Sequence, residues 1–302
     1  MEFGRVPLEQ LPAIDFSLPP DPEENAPVLA SVKNNTPFRF YFGTTKWTFP
    51  EWVGTWYPKG TKSARFLEAY AQQFNSIELN TTFYRMPTFR QTSDWQSKVS
   101  DDFRFCPKFV DQITHIRRLK NTEAFVHDFV DGISGFGKKL GPILLMPHPA
   151  MGPHQLDTIA HFVESLPPGM RVALELRHTE WFTDTSSFRQ LCSILEKHQQ
   201  ATCITDTAGR RDCVHMRLTS ATAMIRFVGN DLHPTDYTRI DQWIDRICQW
   251  KEKGLQEIYF FLHEPDESLV PELAHHLIEQ INSRLGITVR LPQLHAAPGL
   301  FG

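Results

Sequence analysis

Eight short runs of β-branched and aromatic residues, with amphipathic stretches between them, constrain this chain more than any other feature. The runs are FRFYFGT (38–44), SIELNTT (76–82), FRFCPKF (103–109), PILLMP (142–147), RVALELR (171–177), ATCITDT (201–207), AMIRFVG (223–229) and IYFFLH (258–263). Each has the length and composition of a strand. Stretches with apolar residues at helical spacing separate them: 64–74, 122–140, 188–198, 241–254 and 271–286. The last has Pro271 at its start and Gly286 at its exit, as helix termini favour. Eight strands separated by helical stretches over roughly 250 residues predict a (β/α)8 TIM-barrel-like α/β domain. A doubly wound open sheet is the rival, but FGTTKWTFPEW after the first run is neither GxGxxG nor a Walker loop. The stretch 208–222 is a poor helix, which predicts an irregular sixth crossover.

Three segments follow. Residues 1–36, rich in Pro and acids, predict an irregular N-terminal arm; 37–290 form the barrel domain; 291–302 are a C-terminal tail. Hydrophobic residues make up 41% of the 302, enough for a large core, and the formal net charge is -4. That charge argues against broad, non-specific nucleic-acid binding, while a local basic pocket stays open. Five cysteines, odd in number and without a CxxC pair, predict no disulfide framework and a reducing compartment. No apolar run reaches the ~20 residues of a membrane span, and MEFGRVPLEQ lacks a signal peptide's basic start and apolar stretch. The expectation is a soluble cytoplasmic protein with no membrane partner.

Within SIELNTT, Ile77 and Leu79 share one face and Glu78 and Asn80 the other. In a barrel the outward side chains meet the helices and the inward ones fill the lumen, with the C-terminal strand ends lining the active-site mouth. The same parity leaves Cys106 and Lys108 inside in the third run, and Glu175 and Arg177 inside in the fifth. The sixth ends at Asp206, the seventh presents Arg226 and the eighth ends at His263. Three carboxylates, three cations and an imidazole are thus expected at one mouth. The plain alternative is an ion-pair network that plugs the barrel without chemistry.

FGTTKWTFPEWVGTWYP, IELNTTFYRMP, FCPKF, LELRHTEWF and RFVGN, in that order, resemble the DUF72, or YecE-like, family over roughly residues 38–285. The resemblance implies a TIM-barrel-like fold, a cytoplasmic location and no defined reaction. Its motif positions fall here on Gly43, Trp47, Glu78, Asn80, Thr82, Tyr84, Lys108, Glu175, Arg177, Trp181, Asp206 and Arg226. Two places depart from it. The Arg-x-His-Gly pattern reads Arg226-Phe227-Val228-Gly229, without its histidine, and the Phe-Asn-Asn pattern reads Phe261-Leu262-His263.

These residues point to a pocket for an anionic, phosphate-bearing ligand. Lys108, Arg177 and Arg226 would hold the anion. Glu78 and Glu175 would act as acid and base in hydrolase-type chemistry, with Asn80 and Asp206 orienting. Thr82 and His263 would line the site, and Trp47, Tyr84 and Trp181 would wall it. No cofactor is specified by the sequence. A divalent Mg2+ or Mn2+ on Glu78, Glu175, Asp206 and His263, with His115, His148, His178 or His215 in reserve, is one variant. A two-carboxylate glycosidase is another. A nucleotide- or nucleic-acid-binding module, using the basic stretches 113–121 and 208–212, is the non-enzymatic option.

Overall fold

The computed structural model describes residues 3–31 and 37–295; residues 1–2, 32–36 and 296–302, which include parts of the predicted arm and tail, lie outside the described residues. Eight strands form at the eight predicted places: β1 Arg39–Gly43, β2 Ser76–Leu79, β3 Arg104–Pro107, β4 Ile143–Leu145, β5 Val172–Leu174, β6 Ala201–Asp206, β7 Thr222–Val228 and β8 Glu257–His263. Six of them make a curled, all-parallel half barrel in the order β1-β8-β7-β6-β5-β4, while β2 and β3 form a separate parallel pair.

The continuous eight-strand ladder expected from the sequence is interrupted at two seams. Between β3 and β4 only isolated bridges form, Phe105 with Leu140 and Lys108 with Leu144. Between β1 and β2 a side chain replaces part of the ladder: Asn75 accepts from the Phe42 N–H at 2.8 Å and donates to the Phe40 carbonyl at 2.9 Å. The Glu78 N–H then donates to the Thr44 carbonyl at 2.9 Å. Gly43 lets the strands close in here, because a Cβ on it would stand 1.9 Å from the Ser76 carbonyl oxygen.

The helices that matter for the site are α1 Asn25–Ala30, α2 Phe66–Gln73, α3 Thr81–Tyr84, α4 Phe89–Ser97, α5 Glu123–Ile133, α6 Leu156–Glu164, α7 Glu180–Thr183, α8 Thr185–Lys197, α9 Pro234–Lys253 and α10 Val270–Leu285. The predicted helix over 122–140 leaves the α conformation after Ile133 and continues as a 3-10 segment in which Gly137 takes φ 51°. Helix α9 starts seven residues ahead of its predicted position, with Pro234 in its first turn and the His233 side chain accepting from the Thr235 N–H. The sixth crossover carries only a 3-10 turn, Arg211–Cys213, before β7, in keeping with the weak helical pattern of its sequence.

Two apolar layers hold the fold. The outward faces of the strands and the helices share one large core that includes Ile77, Leu79, Phe103, Phe105, Leu174, Trp243 and Trp250. Inside the curl lies a smaller cluster of Tyr41, Cys106, Leu144, Ala173, Ala201, Cys203, Met224, Tyr259 and Phe261, in which the Tyr41 and Tyr259 rings stack at 4.7 Å. This inner plug leaves room for polar side chains only farther along each strand, toward the C-terminal ends.

The described part of the N-terminal arm lies against the domain. Leu11 and Phe16 pack with Ala208. Asp21 accepts from Arg246 at 2.6 Å and from the Trp250 indole at 3.0 Å. The Asn25 amide bonds the Met216 carbonyl at 2.8 Å and the Leu218 N–H at 2.9 Å. The loop from β6 thereby gains backbone partners that its own irregular course lacks.

Candidate functional site

The site is built by polar side chains beyond the apolar plug at the ends of β2, β3, β5, β6, β7 and β8. Arg226, near the end of β7, lies between two buried glutamates. Its Nε and Nη2 donate to the two Glu78 oxygens at 2.8 and 2.9 Å, and its Nη1 donates to both Glu175 oxygens at 2.9 and 2.8 Å. All three side chains are buried. Two further donors reach Glu175: Arg177 Nε at 2.9 Å and the Thr205 hydroxyl at 3.1 Å. His263 Nε2 stands 3.1 Å from Glu78 Oε2. Distant parts of the chain thus meet at one fork-and-fork arrangement, the geometry for which guanidinium is suited.

The electrostatics follow from burial set against charge. Burial pushes the Glu175 carboxyl up, but Arg177, Arg226 and Lys108 outweigh it and hold the group at about 2. Burial also opposes ionisation of Glu78, and Arg226 and His263 reverse it, taking that carboxyl well below the ordinary range. His263 is lowered by burial, which outweighs the opposing pull of Glu78. Lys108 is brought down to about 8, first by burial and then by Arg226, against the pull of Glu175 and Glu78.

Lys108 differs from the rest of the cluster. Its residue is 7% exposed, and among the described residues its Nζ makes no hydrogen bond and no ion pair; it sits 4.1 Å above the centre of the Phe83 ring. The backbone beneath it is firmly held: the Thr82 hydroxyl donates to the Lys108 carbonyl at 2.7 Å, and the Lys108 N–H donates back to that hydroxyl at 3.0 Å. Against the same Phe83 ring stands His115, edge-on at 4.9 Å, followed by His148 at 5.4 Å. Burial and Lys108 lower His115 to about 4, so its imidazole is neutral. Over Arg177 lies Phe3 from the N-terminal arm, 4.2 Å from the guanidinium, while the Phe3 and Gly4 carbonyls accept from the Thr207 hydroxyl at 3.3 and 3.1 Å. The arm therefore covers this corner of the mouth.

Of the residues expected at the site, Glu78, Lys108, Glu175, Arg177, Arg226 and His263 come together. Asp206 does not join them. Its carboxylate faces the helix layer, where it meets Arg239 at 2.8 Å, the Trp243 indole at 2.7 Å and Arg211. The parity of β6 explains this. Thr205 pairs in register with Arg226 and Asp206 with Phe227, so Ala201, Cys203 and Thr205 look inward. Thr82 braces the backbone, and Asn80 turns β2 into α3, its carbonyl accepting from the Phe83 N–H at 3.0 Å. Trp181 is buried, with its indole donating to the Met151 carbonyl at 2.8 Å. Trp47 packs edge-on against Trp95 at 5.0 Å. Tyr84 is 77% exposed and walls nothing.

Sequence reasoning does not reach Thr205, Phe83 or Phe3, and it offers His115 only as a reserve metal ligand. Strict alternation from Ala201 points to Thr205.

Among the described residues no three His, Cys, Asp or Glu side chains gather as a metal-ligand group. Arg226 occupies the place between Glu78 and Glu175 that a bridging cation would need. Neither glutamate has a proton to donate at neutral pH, so the acid–base pair of a glycosidase is not formed. Among the described residues no helix is long and apolar enough to cross a membrane.

The family described as "Protein of unknown function DUF72" matches residues 41–296. The UPF0759 protein YecE of Escherichia coli (strain K12) is 31% identical over 278 residues, which span 86% of this chain and 97% of that protein. Its counterpart in Escherichia coli O157:H7 matches to the same extent. Two crystal structures of a DUF72 family protein from Enterococcus faecalis V583 superpose with TM-score 0.62, one at 17% identity over 83% of this chain and 99% of that one. The other does so at 16% identity over 87% of this chain and 100% of that one. At those identities the likeness concerns the fold.

Proposed function

This chain belongs to the DUF72 family, and on that premise we propose that its strand-end cluster is a binding pocket for a small anion, of the class that carries a phosphate or carboxylate. The half barrel and the β2–β3 pair act in this reading as one eight-stranded cylinder whose mouth holds the pocket.

One observation carries it. Glu78 and Glu175 are already matched by Arg226 and Arg177, and Lys108 is a further cation, buried and without a hydrogen-bonding partner among the described residues. Among the described residues two carboxylates stand against three cations, and Lys108 is the cation of the three with no carboxylate in hydrogen-bond reach. A charge so placed is costly unless an anion answers it. Glu78 and Glu175 are fixed counter-ions that aim Arg226 and Arg177. The proton-handling role that the sequence suggested for them passes to Lys108, which titrates near neutrality.

Calorimetric titration with inorganic phosphate at pH 7 tests the reading. The parent protein is expected to bind, and Lys108→Met to weaken binding by at least about tenfold, the loss of one charge-assisted contact. Equal binding by both proteins would remove Lys108 from the pocket.

A further inference from the structure

We propose that Lys108 is a nucleophile that forms an imine with the carbonyl carbon of an anionic aldehyde or ketone, such as a 2-oxo acid or a phosphorylated aldehyde. This rests on the anion-binding reading of the same pocket and assigns a substrate class to it.

The geometry supplies what such a step needs. The Lys108 Nζ is held against an aromatic face, 4.1 Å from the Phe83 ring centre, and no carboxylate pairs with it among the described residues. An amine that must attack a carbonyl needs its lone pair free, and both desolvation and neighbouring cations favour the free amine. Arg226 and Arg177 are those cations. With the group brought to about 8, roughly half the molecules carry a free amine at pH 8, against well under one in a hundred for a lysine near 10.5. Arg177, beneath the Phe3 ring and with its side chain 13% exposed, is the most exposed cation of the cluster. The imidazole of His115, edge-on to the same Phe83 ring at 4.9 Å, is neutral and adds no charge beside the amine.

The step balances without a co-reactant. The Lys108 nitrogen bonds to the carbonyl carbon and its extra proton passes to the former carbonyl oxygen, giving a carbinolamine. The C–OH bond then breaks with one further proton, water leaves, and the nitrogen keeps a double bond to carbon. Nothing is oxidised or reduced.

Borohydride reduction tests the step, because it fixes an imine as a stable amine. The full chain is incubated at pH 8 with pyruvate, with glyceraldehyde 3-phosphate or with uncharged glyceraldehyde, reduced, and mapped by peptide mass spectrometry. A single adduct on Lys108 is expected with one of the two anions, at least about tenfold above the uncharged aldehyde, with none at that position in Lys108→Arg. Which anion reacts separates carboxylate from phosphate as the recognised group. Adducts spread over surface lysines, formed as fast in Lys108→Arg, would overturn the inference. If inorganic phosphate binds but neither anion is trapped, the imine is wrong and the anion pocket stands. If phosphate does not bind and nothing is trapped, both fall.

Discussion

Two of the buried arginine-centred clusters among the described residues invite comparison: one lies inside the curl of strands and the other between the sheet and α9. Inside, Arg226 grips Glu78 and Glu175. Outside, Arg239 meets Asp206 at 2.8 Å and Asp236 at 3.3 Å, and Arg211 completes Asp206. The Val228 carbonyl accepts from Arg239 as well, and Asn230 donates to Asp236 at 2.8 and 2.9 Å. The outer cluster balances two carboxylates with two guanidiniums. The inner cluster has Lys108 in addition. A buried network that closes on itself can be structural; one that keeps an unanswered charge is arranged for something that arrives later.

The largest expected effect is common to both clusters. Arg226→Met and Arg239→Met should each cost about 3–5 kcal/mol in unfolding free energy, because each strands a pair of buried carboxylates. Denaturant unfolding of the two variants checks this, and a small loss at either arginine would show that water reaches that cluster.

Beside the outer cluster lies Glu264, fully buried, with Oε2 accepting from the Asp231 N–H at 2.9 Å and Oε1 unpartnered among the described residues. Burial, then Asp236 and Asp231 against the pull of Arg239, raises it to about 8. The folded protein therefore keeps a proton between pH 4.5 and 8 that the unfolded chain has lost. That stabilisation is complete below pH 4.5 and disappears as the pH rises through 8. Glu264→Gln, neutral at every pH, should be more stable than the parent at pH 9 by up to about 4 kcal/mol and close to it at pH 4.5. Unfolding curves at the two pH values give the answer, and a parallel shift at both would place the effect elsewhere.

Lys108→Met should do what no arginine variant does and raise stability at pH 7, by about 1–3 kcal/mol, while phosphate binding is lost. The gain should shrink as the pH rises from 8 toward 10.5, where the parent lysine sheds its charge in both states. A destabilised variant would make Lys108 a structural member of the cluster, like Arg239.

The smallest effect belongs to the arm. Phe3→Ala removes a ring from a guanidinium near the surface and should change stability by only about 0.5–1 kcal/mol, yet speed phosphate association in stopped-flow measurements. An unchanged rate would mean that the arm does not guard the mouth.

The same contrast explains what the sequence revealed. Strand positions are legible because Val, Ile, Leu and Phe cluster in eight short runs whose outward faces must be apolar; Glu78, Lys108, Glu175 and Arg177 follow from alternation, and Arg226 and His263 from their places near strand ends. The seams were not legible. The seam at β1–β2 depends on the Asn75 amide standing in for a ladder, and nothing in SIELNTT signals that. Asp206 was placed inside because a charge at a strand end attracts attention, although Ala201, Cys203 and Thr205 carry the inward parity. The aromatic motif residues Trp181 and Tyr84 illustrate a further limit: one is core and one is surface, and spacing does not separate them. The contact of Phe3 with Arg177 joins the start of the described chain to its middle, a pairing with no local signature.

The central claim is that Lys108 carries a charge awaiting an anion. The rate of acetylation of Lys108 by a trace acylating reagent, followed by mass spectrometry from pH 6 to 11 with and without phosphate, tests it most directly. The expected midpoint lies near 8 in the free protein and moves upward when phosphate is present. A midpoint near 10.5 that phosphate leaves in place would contradict the account.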